Sequence, residues 1–236
     1  MANGEAALKL MVSSTVYDIR YLLDQIEASL RTFGYNPWIS AKGTVPVDPN
    51  LSNFDNCLAA VRDCDAFFAI ITPAYGTGKE AKDGPSITHR EIEEAVKLDK
   101  VRWFVCHENV MTARSFLGDL SYDGNSLRGP KGRERLMLKQ DPAVLKDLKT
   151  IDMLEAATRD DVRDISKRTG NWVQPYVNDK QVLDYIATQF GDPDRVRQMI
   201  KDRDSRLAMN AAARAAADTA LVPEVKVDQG KIAGSN

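Results

Sequence analysis

The stretch from Leu8 to Asp18, L-K-L-M-V-S-S-T-V-Y-D, constrains the fold more than any other part of the chain. An apolar run ends abruptly in three small hydroxyl residues, Ser13, Ser14 and Thr15, and a helical pattern follows at once. This is the pattern of a buried parallel strand, Leu8–Val12, delivering a polar turn to a helix. In open α/β sheets the carboxyl end of such a strand is where ligands bind. Hydroxyls beside the first helical N–H groups suit a phosphate, a ribose or a carboxylate. The same residues suit plain capping of the helix by Ser14 or Thr15, and one residue can do both.

The rest of the chain repeats the alternation. Ile19, Leu22, Leu23, Ile26, Leu30 and Phe33 recur at three and four, which predicts a helix over roughly Val16–Phe33 closed by Gly34. Tyr35–Ser40 reads as a second strand, and Pro37 puts it at an edge because a central strand cannot spare the donor. After the loop Ala41–Ser52, a helix is expected over Asn53–Arg62. The run Ala66–Thr72, A-F-F-A-I-I-T, is a strand covered on both faces. Pro73–Pro85 is a loop holding Tyr75-Gly76-Thr77-Gly78. Two glycines one residue apart are a weak phosphate signal without the rest of a dinucleotide fingerprint, and a flexible lid fits the composition equally. Ser86 or Thr88 can cap a helix over His89–Leu98, and Val101–Cys106 is a fourth strand.

The pattern changes between residues 107 and 170. Gly118, Gly124, Gly129, Pro130 and Gly132 mark loops, and short amphipathic helices are expected near Asp141–Leu148 and Arg159–Arg168. This reads as an insertion before the last strand, Asn171–Val177, where Pro175 again marks an edge. Its helix is Lys180–Phe190, and another is expected from Asp194 through Lys201. Ser205–Leu221 is alanine-rich and predicted helical, an arm for docking or a frayed tail, and the final residues read as disordered.

Five strand–helix alternations imply a parallel sheet with helices on both faces. Right-handed crossovers and the two proline-bearing edges favour a flavodoxin-like strand order, 2-1-3-4-5, with the switch point between the first and third strands. Ser13–Thr15 and Thr72–Gly76 meet there. The α/β domain spans 1–190, with a helical insertion at about 107–170, and 191–236 forms a helical arm and tail. The net charge of −2 over 236 residues argues against a general nucleic-acid binder. No run approaches the ~18 apolar residues of a membrane helix, and M-A-N-G-E-A-A lacks the features of a leader. Cys57, Cys64 and Cys106, an odd count in apolar segments, read as free thiols in a reducing cytoplasm, and no Cys/His spacing suggests a metal.

Three segments together resemble a known group: V-S-S-T-V-Y-D-I-R, then C-D-A-F-F-A-I-I-T-P-A-Y-G, then S-I-T-H-R-E-I-E-E-A. They look like an uncharacterised TIR-like family that opens with V-S-S-T, carries Y-G after the third strand and holds a T-x-x-E-x-x-x-A helix. That family is similar in fold to TIR domains and nucleoside 2-deoxyribosyltransferases. The resemblance covers Leu8–Cys106 clearly and Asn171–Phe190 loosely; the insertion and the tail lie outside it.

The resemblance makes Glu91 the candidate catalytic residue. In enzymes of the wider group a glutamate early in this helix acts at the anomeric carbon of a ribose. A carboxylate there stabilises an oxocarbenium-like state or forms a covalent adduct. The implied activity is cleavage or transfer at the N-glycosidic bond of NAD, a nucleoside or a nucleotide, in the context of bacterial anti-phage defence. NAD enters as a substrate, and no cofactor is required. Ser13, Ser14, Thr15 and Asp18 are placed to orient phosphate or ribose, Tyr75 to stack on a base, and Gly76 to let the backbone come near. Ser86 and Thr88 stand where many TIR enzymes carry a serine or cysteine. Partners implied are a nucleotide, and a second copy or another protein docking through the insertion or the arm. Two alternatives stand beside this reading. Glu91 also fits a solvated helix glutamate paired with Lys97 or Arg90, and many TIR-like domains bind without catalysing, as nucleotide sensors or scaffolds. His89, two residues from Glu91, points away from it and reads as a rim residue.

Overall fold

The computed structural model describes residues 6–15, 19–76, 78, 84–122, 125–127, 129–134, 136–139, 142 and 144–220. In chain order its elements are β1 (Lys9–Ser14), α1 (Arg20–Thr32), β2 (Asn36–Trp38), α2 (Asn53–Asp63), β3 (Ala66–Ile71), α3 (Ile87–Lys97) and β4 (Val101–His107). Then come α4 (Glu108–Gly118), β5 (Ser121–Tyr122), β6 (Asn125–Ser126), α5 (Pro130–Arg133), α6 (Lys149–Thr158), β7 (Val173–Tyr176), α7 (Asp179–Phe190) and α8 (Pro193–Ala220). Five strands form one parallel sheet in the order β2-β1-β3-β4-β7. This is the flavodoxin-like order expected from the sequence, with β7 as its fifth strand.

The two proline-bearing strands are the edges, Pro37 opposite Leu10 and Pro175 opposite Cys106. A residue without an N–H costs no ladder bond on a side that has no neighbour. All six residues of β3 are buried, and they alternate between two cores. Phe67, Ala69 and Ile71 pack with residues of α2, α3, α4 and α6, whereas Ala66, Phe68 and Ile70 pack with residues of α1 and α7. The period of two in a strand and the apolar stripe Leu22, Leu23, Ile26 and Leu30 of α1 produce this three-layer arrangement.

Several boundaries differ from expectation. Helix α1 starts at Arg20, not Val16, and its N-cap is Ile19 with no side-chain cap bond. Ser14 and Thr15 therefore do not cap it. Ser14 is still strand, paired with Ile70. Residues 16–18, including the candidate Asp18, lie outside the described residues. So do the expected disordered tail beyond residue 220 and, in the loop read as a lid, residue 77 and residues 79–83.

The insertion is organised differently from its charge pattern. Helix α4 follows β4 immediately, with the His107 side chain accepting from the N–H of Asn109. A two-stranded antiparallel pair, β5 with β6, comes next. The described part of 141–148 is not helical, and 159–168 holds only a 3-10 turn at Ile165–Lys167. The helix lies between them, at Lys149–Thr158, because Ile151, Met153, Leu154 and Ala157 are the residues with a core to enter. It cannot run on, because Arg159 turns into the left-handed region at φ 55°. Buried Arg133 ties it to α5, its fork meeting Glu155 at 2.9 and 2.6 Å and also reaching Asp152.

By compactness the chain divides into Met1–Ile200 and Lys201–Asn236. The described part of the second unit, 201–220, is helical throughout, as its alanine content predicts. Among the described residues no helix is long and apolar enough to cross a membrane.

Candidate functional site

Parallel strands β1 and β3 end side by side, so Ser13 lies opposite Ala69 and Ser14 opposite Ile70. Helix α3 begins over these ends. Its N-cap is Ser86, whose hydroxyl accepts from the N–H of His89 at 3.3 Å. Thr88 sits inside the helix rather than capping it, and its hydroxyl donates to the Ser14 carbonyl at 3.2 Å. That bond anchors the first turn of α3 on the end of β1.

One turn further along the helix is Glu91, only 3 % exposed. The Ser13 hydroxyl donates to its Oε2. The Cys57 thiol of α2 is a further hydrogen-bonding neighbour of the carboxylate. Burial pushes the Glu91 carboxyl up to about 7, against the opposing pull of Ser13 and Cys57, which favour its charge. Burial, with the charge of Glu91 adding to it, pushes the Cys57 thiol up to about 12, so it remains a protonated donor. A carboxyl that titrates near neutrality can hold or accept a proton, and its charge acts in a low-dielectric setting. The solvated alternative for Glu91 does not hold. Arg90 pairs with Glu93 at 2.8 Å, and Lys97 pairs with Glu94 at 3.4 Å, on the open side of the helix.

The other candidates gather at the same rim but bond to one another. Thr15 and Thr72 share a hydrogen bond at 2.6 Å between their hydroxyls. Gly76 takes φ 87°, and a Cβ there would stand 3.3 Å from the Thr15 side chain. Its small size lets the loop close on β1. Tyr75 is 3 % exposed, and its hydroxyl lies 2.7 Å from His89 Nδ1 and accepts from the N–H of Ser86 at 3.2 Å. Its ring packs within the domain. Ser13, Glu91 and Cys57 thus form one cluster, and Thr15, Thr72 and Gly76 a second. Tyr75, Ser86 and His89 form a third.

Cys57 and the bonding role of His89 were not read from the sequence, and Thr72 was placed at the switch point without a role of its own. Thr72 had a visible signal, being a hydroxyl residue at the carboxyl end of an apolar strand like Ser13. Cys57 had none, because its place beside Glu91 arises only when α2 packs on α3.

On the opposite side of α3 lies a groove of about 1390 Å³. His89 and Glu93 line it from α3, Lys149, Asp152 and Glu155 from α6, and Tyr75 from the loop after β3. Glu91 faces away from it, as a two-residue offset on a helix requires.

Residues 9–118 match the family model described as Domain of unknown function (DUF4062). This segment is similar to that family. It runs from β1 through α4 and includes Ser13, Cys57, Thr72, Tyr75, His89 and Glu91. The match spans all three sequence segments on which the resemblance rests. No curated protein matches the chain. Among solved structures, a 2-desoxiribosyltransferase from Leishmania mexicana superposes with a TM-score of 0.36 at 18% identity, covering 63% of this chain and 97% of that one. The TIR domains of the activated Roq1 resistosome directly recognizing the pathogen effector XopQ superpose with a TM-score of 0.37 at 15% identity, covering 83% and 99%. The fold of this chain is established by its own strand order.

Proposed function

We propose that this domain binds a nucleoside or nucleotide, NAD included, at the carboxyl ends of β1 and β3 and cleaves its N-glycosidic bond. The observation that supports the reading best is Glu91, a buried carboxyl at the switch point that titrates near 7 and is held by Ser13. In the reaction the bond from the anomeric carbon to the base nitrogen breaks and its electron pair leaves with the base; the base of a nucleoside takes up a proton, whereas the positively charged nicotinamide of NAD leaves neutral without one. The ionised carboxylate of Glu91 meets the sugar cation that is left, electrostatically or as a covalent adduct. Water then adds at the anomeric carbon and gives up a proton, or a second base adds and the reaction is a transfer. In bacterial anti-phage defence such an activity is held off until a trigger arrives, and assembly through the insertion or the C-terminal arm supplies that control.

The test is product chromatography of NAD and nucleosides incubated, alone and with candidate activators, with the wild type and with Glu91→Gln. Glutamine keeps the shape and removes the charge. Turnover should fall by about 100- to 1,000-fold, the usual effect of losing one group that stabilises charge in the transition state. Binding of the intact nucleotide should persist, since the ground state carries no full cation at the anomeric carbon. Equal turnover in both proteins removes Glu91 from the mechanism. Failure of the wild type to turn over any nucleotide sinks the enzymatic reading.

One observation favours a second reading. Glu91 is enclosed, and the large groove lies on the other side of α3. A module that senses a nucleotide or recruits a partner would use the groove and leave Glu91 as an internal support. Calorimetric binding of a nucleotide with no product formed is the result that would favour it.

A further inference from the structure

Tyr75 and His89 join the loop after β3 to the first turn of α3. The Ser86 backbone can only donate, so the Tyr75 oxygen is the acceptor of that 3.2 Å bond. His89 Nδ1 lies 2.7 Å from the same oxygen. With the phenol as donor, Nδ1 is the bare nitrogen and the imidazole proton sits on Nε2, which faces Glu93 Oε1 at 3.6 Å. In that arrangement every hydrogen bond runs in one direction, from the Ser86 N–H to the imidazole. It fixes the cap residue Ser86 and the first-turn residue His89, while Thr88 between them donates to the end of β1. Glu91 follows two residues later on the opposite face, against Ser13.

We propose that Tyr75 and His89 are positioning residues for Glu91, holding the start of α3 through a directed hydrogen-bond chain from Ser86 N–H through the Tyr75 hydroxyl to neutral His89. This rests on the reading of Glu91 as the reacting carboxylate. The groups that face His89 are Tyr75 from the loop, Glu93 and Arg90 on its own helix, and Asp152 and Lys149 on α6. Burial holds the imidazole below its ordinary range. Glu93 and Asp152 work against that, while Arg90 and Lys149 reinforce it. Tyr75 stays a donor at any ordinary pH, because burial pushes its phenol up to about 12. Protonation of His89 places a hydrogen on Nδ1, so the phenol must turn its own proton elsewhere and the directed chain is lost on the acid side.

The chain has only two histidines. His107→Asn, which keeps a capping side chain at α4, therefore leaves His89 as the single imidazole for nitrogen NMR of the full-length protein. The expected spectrum at neutral pH has the proton on Nε2 and a bare Nδ1. A proton on Nδ1 overturns the proposal, and this measurement requires neither activity nor a destabilising variant. The second arm follows the carboxyl carbon of Glu91 by NMR in the wild type, Tyr75→Phe, His89→Leu and His89→Asn. Asparagine can present an oxygen acceptor where Nδ1 stood. The Glu91 midpoint should drop from near 7 towards the ordinary 4.5 in Tyr75→Phe and His89→Leu as water reaches the carboxyl, and His89→Asn should restore much of it. An unchanged midpoint in folded Tyr75→Phe and His89→Leu overturns the proposal. Where nucleotide turnover is found, kcat should fall by about 100-fold in His89→Leu with KM little changed, the scale of a misplaced reacting group. Absence of turnover in the wild type counts against the glycosidic reading alone, since both NMR arms still decide the positioning of Glu91.

Discussion

Burial of the Glu91 carboxyl makes its titration part of the folding equilibrium. Its pKa rises from 4.5 to about 7 on folding, so the native state holds a proton that the unfolded chain releases. The contribution to stability is fully present below about pH 4.5 and is lost as the pH rises through about 7. At roughly 1.4 kcal/mol per unit the loss is about 3 kcal/mol. Glu91→Gln has no such titration. Urea denaturation at about pH 5 and about pH 8 should show the wild type losing about 3 kcal/mol relative to the variant over that interval. Parallel pH dependence of the two proteins would mean that Glu91 is solvated. The sequence made Glu91 a candidate through its spacing to Ala95 and through the T-x-x-E-x-x-x-A resemblance. Its environment depends on residues 78 and 34 positions away, Ser13 and Cys57, and no local pattern encodes those neighbours.

Among the elements, the helices that cover the sheet were legible because each carries one apolar stripe, as in α1 and α7. The insertion was misread for the opposite reason. Its charged segments resemble solvated helix faces, yet much of that charge is spent in pairs that hold short elements together. Arg114 pairs with Asp160, Arg168 pairs with Asp160 at 2.8 Å, and Arg133 grips Glu155 and Asp152. Arg133→Met tests this account. Methionine fills much of the space but leaves Glu155 and Asp152 without their buried guanidinium. Breaking a buried pair from one side costs about 3–5 kcal/mol, and a loss in that range is expected at neutral pH. At about pH 4 the loss should shrink as Asp152, whose carboxyl is raised by burial, takes up a proton. A loss below about 0.5 kcal/mol at neutral pH, the size of a surface change, would assign the cluster to the solvated exterior.

At the scale of the whole molecule, one sheet serves two cores, and neither can lose its sheet face alone. Phe67 lies in the core shared with α2, α3, α4 and α6, and Phe190 in the core shared with α1 and α7. Phe67→Ala and Phe190→Ala should each cost about 3–5 kcal/mol. In each variant, circular dichroism and tryptophan fluorescence should report the same shifted midpoint, because both layers rest on β3. Two separated transitions in either variant would show that the layers fold as independent units.

The sequence by itself determined the alternation of strands and helices, both edge strands, the strand order and the rim formed where the first and third strands end. Those features follow from local periodicity, from prolines that lack a donor, and from the handedness of crossovers, all of which act along the chain. Tertiary structure alone decided that Glu91 is enclosed, that Cys57 stands beside it, that Tyr75 bonds to His89 instead of presenting an open face, and that α6 is the helix of the insertion. Each of these depends on which surfaces meet when distant segments pack. Burial and hydrogen-bond partnership are properties of that packing, so the residues show the candidates but not the protonation states that give them their chemistry.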